Sequence, residues 1–295
     1  MNERVTQYLI YGAIAITATV AGLSLGGVFD KQAGSASWNK VLPESALTPA
    51  CNVKVVKLEG PLDTYASGGV SDPSDPNASD FGYGVDSASI VSQLDEAESS
   101  SDIKAIVLQI DSTGGSPVAA EEISNALKRS GKPTVALIRG AGLSAAYRSA
   151  TGANTIIAAE NAEVGSIGVT SSYLDQTKHN SQSGYTFNAI STGEYKDMLN
   201  SNKPLTANER EMVVHELNIV FANFVKTVNQ NRHLTMEASS SPLTTGASFI
   251  ASEALEYKLI DKIGDRETAR DYLAGVLSLP RTEVSFCDHS VQYGD

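Results

Sequence analysis

Ser144 stands in the stretch AGLSAAYRSA (141–150), surrounded mostly by residues with little or no side chain. The residues before it, KPTVALIRG (132–140), read as a buried strand ending at glycine, and those after it can form a helix. A hydroxyl at a strand-to-helix turn ringed by Gly and Ala is open to a carbonyl substrate. A tight packing turn uses the same small residues, so the reading depends on a base to take the proton. Of the four histidines, His179 lies in a polar loop, His215 on a long helix, His233 just after that helix and His289 in the C-terminal tail. None has the context of a catalytic loop. Gly142-Leu143-Ser144-Ala145-Ala146 approximates G-x-S-x-G, and Asp261 or Asp265 followed by His289 would complete the chain order of an α/β-hydrolase. The motif's last glycine is replaced here. Lys196, in AISTGEYKDM (189–198), is the better candidate, placed after a short strand and a Gly turn. A lysine accepts a serine proton when burial disfavours its charged form, and Ser-Lys pairs are an established variant of the triad. Against this, the flanking Glu194 and Asp197 favour an ordinary charged surface lysine.

The elements that must position these groups form a repeating pattern. VKVVKLEG (53–60) is a first strand, and the Gly, Ser, Asp and Pro of 63–84 predict a mobile loop. A helix over 86–99 leads to IKAIVLQID (103–111), an apolar run of the kind buried on both faces of a sheet. A helix over 117–130 starts at Pro117, which suits a first turn. PTVALIRG, TIIAAE (155–160) and EVGSIGV (163–169) supply further strands, and a long helix spans 206–230. Strand and helix alternating at this spacing predict βαβ units and a mostly parallel sheet. Sites in such sheets form at the carboxyl ends of strands. Both glycine-rich turns, DSTGGS (111–116) and GAGLS (140–144), fall there. One can offer free backbone amides and the other the serine, the pairing that acyl transfer requires.

The 295 residues are ample for a sizeable core, and 22 basic against 34 acidic residues give a net charge of −12. That balance, with no basic cluster, argues against nucleic acid as a partner. No Cys/His pair has zinc-ligand spacing, and neither metal nor cofactor is expected. Cys51 and Cys287 bracket the presumed domain and are either one disulfide or two separate thiols. YLIYGAIAITATVAGLSLGGVFD (8–30) carries no charge until Asp30 and is long enough to cross ~30 Å of hydrocarbon as a helix. Residues 1–30 therefore read as an uncleaved membrane anchor, and the polar 31–50 as a linker.

Several segments, in order, resemble the short-form signal peptide peptidases of the S49 family of membrane-bound serine peptidases. DSTGG (111–115) is similar to the family's D-x-P-G-G turn, with Thr113 in place of proline, and GLSAAYRSATGANTIIAAENAEVGSIGV (142–169) resembles its nucleophile stretch. STGEYKDM (191–198) resembles its G-x-Y-K segment, 204–232 the helix after it, and ASEALEYKLIDKIGD (251–265) its closing motif. The resemblance implies a ClpP/crotonase-like α/β fold over 51–280, with 281–295 as a tail. It implies Ser144 as nucleophile, Lys196 as general base, and the amides of Gly115 and Ala145 as oxyanion hole. It further implies leftover signal peptides as substrates, a homo-oligomeric ring, and a single-pass protein whose catalytic domain faces the extracytoplasmic side. This sequence departs from the family at Ala145 and Ala146, where glycines are usual, and at Arg148, where an aromatic or apolar residue is common. A non-catalytic membrane scaffold and a crotonase-type acyl-CoA enzyme are the rival readings.

Overall fold

A computed structural model describes residues 51–65 and 84–287. The proposed anchor, the linker, most of the 63–84 loop and His289 lie outside the described residues. Strand β1 (Val53–Glu59) leads to β2 (Leu62–Asp63), which pairs in parallel with β3 (Val85–Asp86). Helix α1 (Ser87–Ser99), β4 (Ala105–Ser112), α2 (Pro117–Arg129), β5 (Thr134–Leu143), α3 (Ala145–Ala150), β6 (Thr155–Ala158) and β7 (Glu163–Gly165) come after it in the chain. Next are a short α4 (Thr177–Gln182) and the long α5 (Ala207–Arg232). β8 (Ser248–Ile250), α6 (Ala251–Glu256), β9 (Lys262–Ile263), α7 (Arg266–Leu277) and β10 (Phe286–Cys287) complete the described chain.

The main sheet runs β10-β1-β4-β5-β6-β9, every pair along that path parallel. This is a mixed α/β architecture with a largely parallel sheet, as the alternating pattern predicts. β4 at its centre is buried over Ala105–Ile110. Its Ile106, Leu108 and Ile110 join α1, α2, α3 and α5 in the larger core, which includes Ile90, Ile123, Tyr147 and Phe224. Ala105 and Val107 face the other way, into a smaller core with Val135, Leu137 and Leu273 of α7. A strand apolar on both faces has helices to cover both, which explains its unbroken hydrophobic run.

The helix starts obey local rules. Pro117 occupies the first turn of α2, and the Ser116 hydroxyl accepts the Ala119 N–H at 3.4 Å. Thr206 and Glu209 form a reciprocal capping box at α5. The buried Glu209 carboxylate also takes a hydrogen bond from Lys203, which holds it below the usual carboxylate range. One expected strand does not form. Residues 185–191, before Lys196, are exposed and belong to no strand, and Ile190 is 99 % exposed.

The local feature that builds the site is an offset between β4 and β5. Ile110 faces Ile138 but Ser112 faces Gly142, so two steps on β4 correspond to four on β5. The Asp111 carboxylate accepts the Ala141 N–H at 3.0 Å within this irregularity. Beyond it β5 leaves β6 and pairs Ala141–Leu143 with β7. Such bulges bend a strand and re-aim the residues beyond the bend.

β10 lies beside β1, and Cys51 and Cys287 form a disulfide with Cα atoms 5.1 Å apart, a separation within the usual range. The bond ties together residues 236 positions apart. Closing so long a loop restricts the unfolded chain strongly, so Cys51→Ser should lower the unfolding free energy by about 2–5 kcal/mol. Denaturant titration of both proteins with and without reductant checks this. A wild-type midpoint indifferent to reductant would remove the disulfide from the account.

Candidate active site

Ser144 links β5 to α3 with φ 50° and ψ −122°, a backbone conformation that L-residues rarely adopt. Holding a non-glycine residue there costs about 1–3 kcal/mol and persists only where the surroundings impose it. Here they do. The Ser144 N–H donates to Gly165 O at 2.8 Å, and its carbonyl accepts the Arg148 N–H at 3.0 Å. Behind it, the Gly114 backbone packs so closely that a methyl at that position would stand 2.9 Å from Ser144 Cβ, Leu143 O and Ala145 N.

The DSTGGS turn is fastened on its other side as well. Leu62 N–H donates to Gly114 O at 2.9 Å, and Ser116 N–H donates to Leu62 O at 2.8 Å. A methyl on Gly115, where φ is +149°, would lie 2.0 Å from Leu62 O. The buried Ser112 hydroxyl accepts the Gly114 N–H at 3.1 Å. These bonds leave some backbone amides at the junction without an acceptor. Among the described residues, no acceptor takes the N–H of Gly115 or that of Ala145, the first residue of α3. Unpaired amides beside a hydroxyl are what a tetrahedral oxyanion needs.

Ser144, Gly115 and Ala145 line one small cleft of about 50 Å3. Pro117, Val169, Val220 and Phe224 give it apolar walls, and Arg148 contributes a buried side chain. The wall residues from α5 are legible in the sequence only as an apolar pair one helical turn apart, a spacing shared with any core-facing helix. Ser112 also escapes a reading by motif, because its hydroxyl acts through the turn.

Lys196 is placed elsewhere. It is exposed, in a turn closed by the bond from its own N–H to Gly193 O at 3.2 Å, and it is not among the residues lining the Ser144 cleft. The carboxylates expected to hold it are engaged with other groups. Glu194 accepts from Asn208 at 3.0 Å, and Asp197 accepts from the Ser191 hydroxyl. His179, His215 and His233 are exposed. Asp261 receives the Arg232 guanidinium at 2.8 and 3.0 Å and the Ile156 N–H at 2.7 Å, while Asp265 caps α7. Both aspartates thus have structural partners. Among the described residues, no group of three or more His, Cys, Asp or Glu side chains could hold a metal ion.

A parallel α/β sheet presenting a serine at a strained turn beside two unpaired amides suits acyl-transfer chemistry. Comparison with known proteins defines the class. The model of peptidase family S49 matches residues 126–278, slightly more than half of the chain, including Ser144 and Lys196. The chain belongs to peptidase family S49. A protein of Methanocaldococcus jannaschii named "Putative protease" is 27 % identical over 206 residues, which is 69 % of this chain and 64 % of that protein. One of Enterococcus faecium named "Putative signal peptide peptidase" is 26 % identical over 238 residues, 80 % of this chain and 67 % of that protein. "Protease 4" of Salmonella typhi is 27 % identical over 241 residues, 78 % of this chain but 38 % of that longer protein. This chain therefore matches about two thirds or less of the length of these relatives.

The strain at Ser144 has a measurable signature. Ser144→Gly removes the Cβ that disfavours φ 50° and should stabilise the fold by about 1 kcal/mol after the added freedom of the unfolded chain is subtracted. Ser144→Ala, which keeps the Cβ, should not. Equal thermal midpoints for these two variants would show that the turn is unstrained.

Proposed function

We propose that this protein is a membrane-anchored serine endopeptidase of the signal peptide peptidase type, with a ClpP/crotonase-like fold. Ser144 is its nucleophile and Lys196 its base. The Ser144 Oγ attacks a peptide carbonyl while its proton passes to a neutral Lys196 Nζ. The Gly115 and Ala145 amides stabilise the oxyanion as the carbonyl carbon becomes tetrahedral. Collapse expels the amine, which leaves with the proton held by lysine. Water, deprotonated by the same lysine, then releases the acyl group and restores the serine. The observation that carries this reading is the strained turn, which aims Ser144 into a cleft shared with two unpaired amides.

Lys196 reaches such a site from a second copy of the chain. Two observations support this. The base candidate stands outside the cleft of its own chain, and the segment around it leaves large apolar side chains in water. Leu174 is 70 %, Tyr185 71 % and Ile190 99 % exposed. An isolated domain gains nothing from that exposure, whereas a neighbouring protomer would cover it. A ring of protomers, each lending its lysine to the next, completes every site and leaves a lone monomer without a base. The substrates are then remnant signal peptides and similar hydrophobic, unstructured segments. The Cys51–Cys287 bond supports an extracytoplasmic domain, because disulfides persist in oxidising compartments.

A fluorophosphonate should label wild-type protein at Ser144, and the purified protein should cleave a signal-like peptide. Co-expressed Ser144→Ala and Lys196→Ala chains should recover activity that neither has alone, because some interfaces then pair an intact serine with an intact lysine. Mixed oligomers, proven by two affinity tags, that remain inactive would place the dyad within one chain.

The anchor is tested separately. Among the described residues no helix is long and apolar enough to cross a membrane, so the proposal rests on the 8–30 run. Alkaline carbonate should leave the full-length chain in the membrane pellet and extract a chain beginning at residue 45. Mature protein lacking residues 1–30 would instead mark that run as a cleaved signal.

A further inference from the structure

Arg148 stands out within the cleft because burial does not account for it. It is 5 % exposed, and its Nε has no partner among the described residues. Burying a guanidinium with an unsatisfied N–H is costly, and an apolar residue of similar volume would fill the same space more cheaply. Its remaining bonds define a clear geometry. Arg148 lies one turn after Ser144 on α3, and helical side chains lean back toward the N-terminus, here toward Ser144. Its guanidinium donates to Pro117 O at 3.1 Å, to Glu121 at 3.0 Å and to the Thr227 hydroxyl at 3.4 Å.

The positions of these acceptors matter. The cleft is walled by Pro117 of α2 on one side and by Val220 and Phe224 of α5 on the other. Glu121 is one turn beyond Pro117, and Thr227 one turn beyond Phe224. The guanidinium therefore links the two walls, at Pro117 and one turn beyond it on α2 and one turn beyond Phe224 on α5. We infer that Arg148 is a specificity-determining residue that bars the cleft between α2 and α5 and restricts it to a short substrate side chain. This rests on the reading of Ser144 as the nucleophile. Three acceptors on two helices keep the bar from swinging aside, and Glu121 already balances its charge. The cleft therefore selects by length, and an acidic side chain gains nothing from Arg148.

The test uses the full-length protein and peptides that differ only at the residue whose carbonyl is attacked, set to Ala, Val, Leu, Phe or Glu. Wild-type kcat/KM should favour Ala and Val over Leu and Phe by at least ~10-fold, the scale on which a fitted pocket separates side chains by size. Arg148→Ala should move the Leu-to-Ala and Phe-to-Ala ratios upward by a similar ~10-fold. Thr227→Val, which frees the α5 end of the bar but keeps the Glu121 pair, should shift the ratios in the same direction and by less. Circular dichroism establishes that each variant is folded. If Arg148→Ala does not fold, the wild-type series and Thr227→Val decide the matter. A wild-type preference for Leu, Phe or Glu overturns the inference and leaves the peptidase reading intact. A folded Arg148→Ala protein that loses the same factor on every peptide reduces Arg148 to a structural role. Cleavage of no peptide removes the peptidase reading, and this inference with it.

Discussion

The arrangement around Ser144 depends on the contact between two chain reversals, one after β4 and one after β5. Neither is stable in isolation. Ser144 takes up a backbone conformation that a side chain disfavours, and the Gly114–Gly115 turn approaches so closely that any side chain would collide with Ser144 or Leu62. Each supplies the surface that holds the other, and bonds from Leu62, Ser112 and Gly165 prevent relaxation. Mutual support of this kind lets a fold retain strain where chemistry needs it. The offset between β4 and β5 lies directly before both turns, and the amides of Gly115 and Ala145 are left without acceptors among the described residues.

The molecule divides sharply between what is buried and what is not. From β4 to β7 the sheet and its covering helices are packed, and α3 is buried along its whole length. Small side chains at Ala145, Ala146 and Ala150 let this short helix sit deep, while the Tyr147 hydroxyl donates to Leu259 O at 2.9 Å. Burial pushes that phenol well above its usual range, so it remains a neutral hydrogen-bond donor. Residues 170–200, by contrast, have almost no buried side chain and bond mainly to themselves. Ser144 belongs to the first region and Lys196 to the second. The capped start of α5, with Lys203 bonded to Glu209, marks the junction between the two regions.

Arg148 shows how a departure from a family pattern acquires physical meaning in three dimensions. In sequence it is a charged residue where an apolar one is common. In the fold it is a buried bar between α2 and α5, bonded on both sides. The alanines after Ser144 are likewise accommodated. Ala145 and Ala146 are buried in the helix, so their methyl groups pack into the core.

By itself the sequence determined the features that depend on local chemistry. Period and composition marked β1, β4, β5 and the helices between them, because a strand covered on both faces must be apolar throughout and a capped helix carries its signals at its ends. The small residues around Ser144 and the paired glycines of DSTGGS marked the two turns, because only such residues fit where backbones meet. Contacts between distant segments have no local signature. The Cys51–Cys287 bond required β10 to lie beside β1, and the α5 side of the cleft required Val220 and Phe224, more than seventy positions after Ser144, to pack against it. The strand expected before Lys196 failed for the same reason. Alternation in a short segment becomes a strand only where another strand accepts its hydrogen bonds, and among the described residues none does.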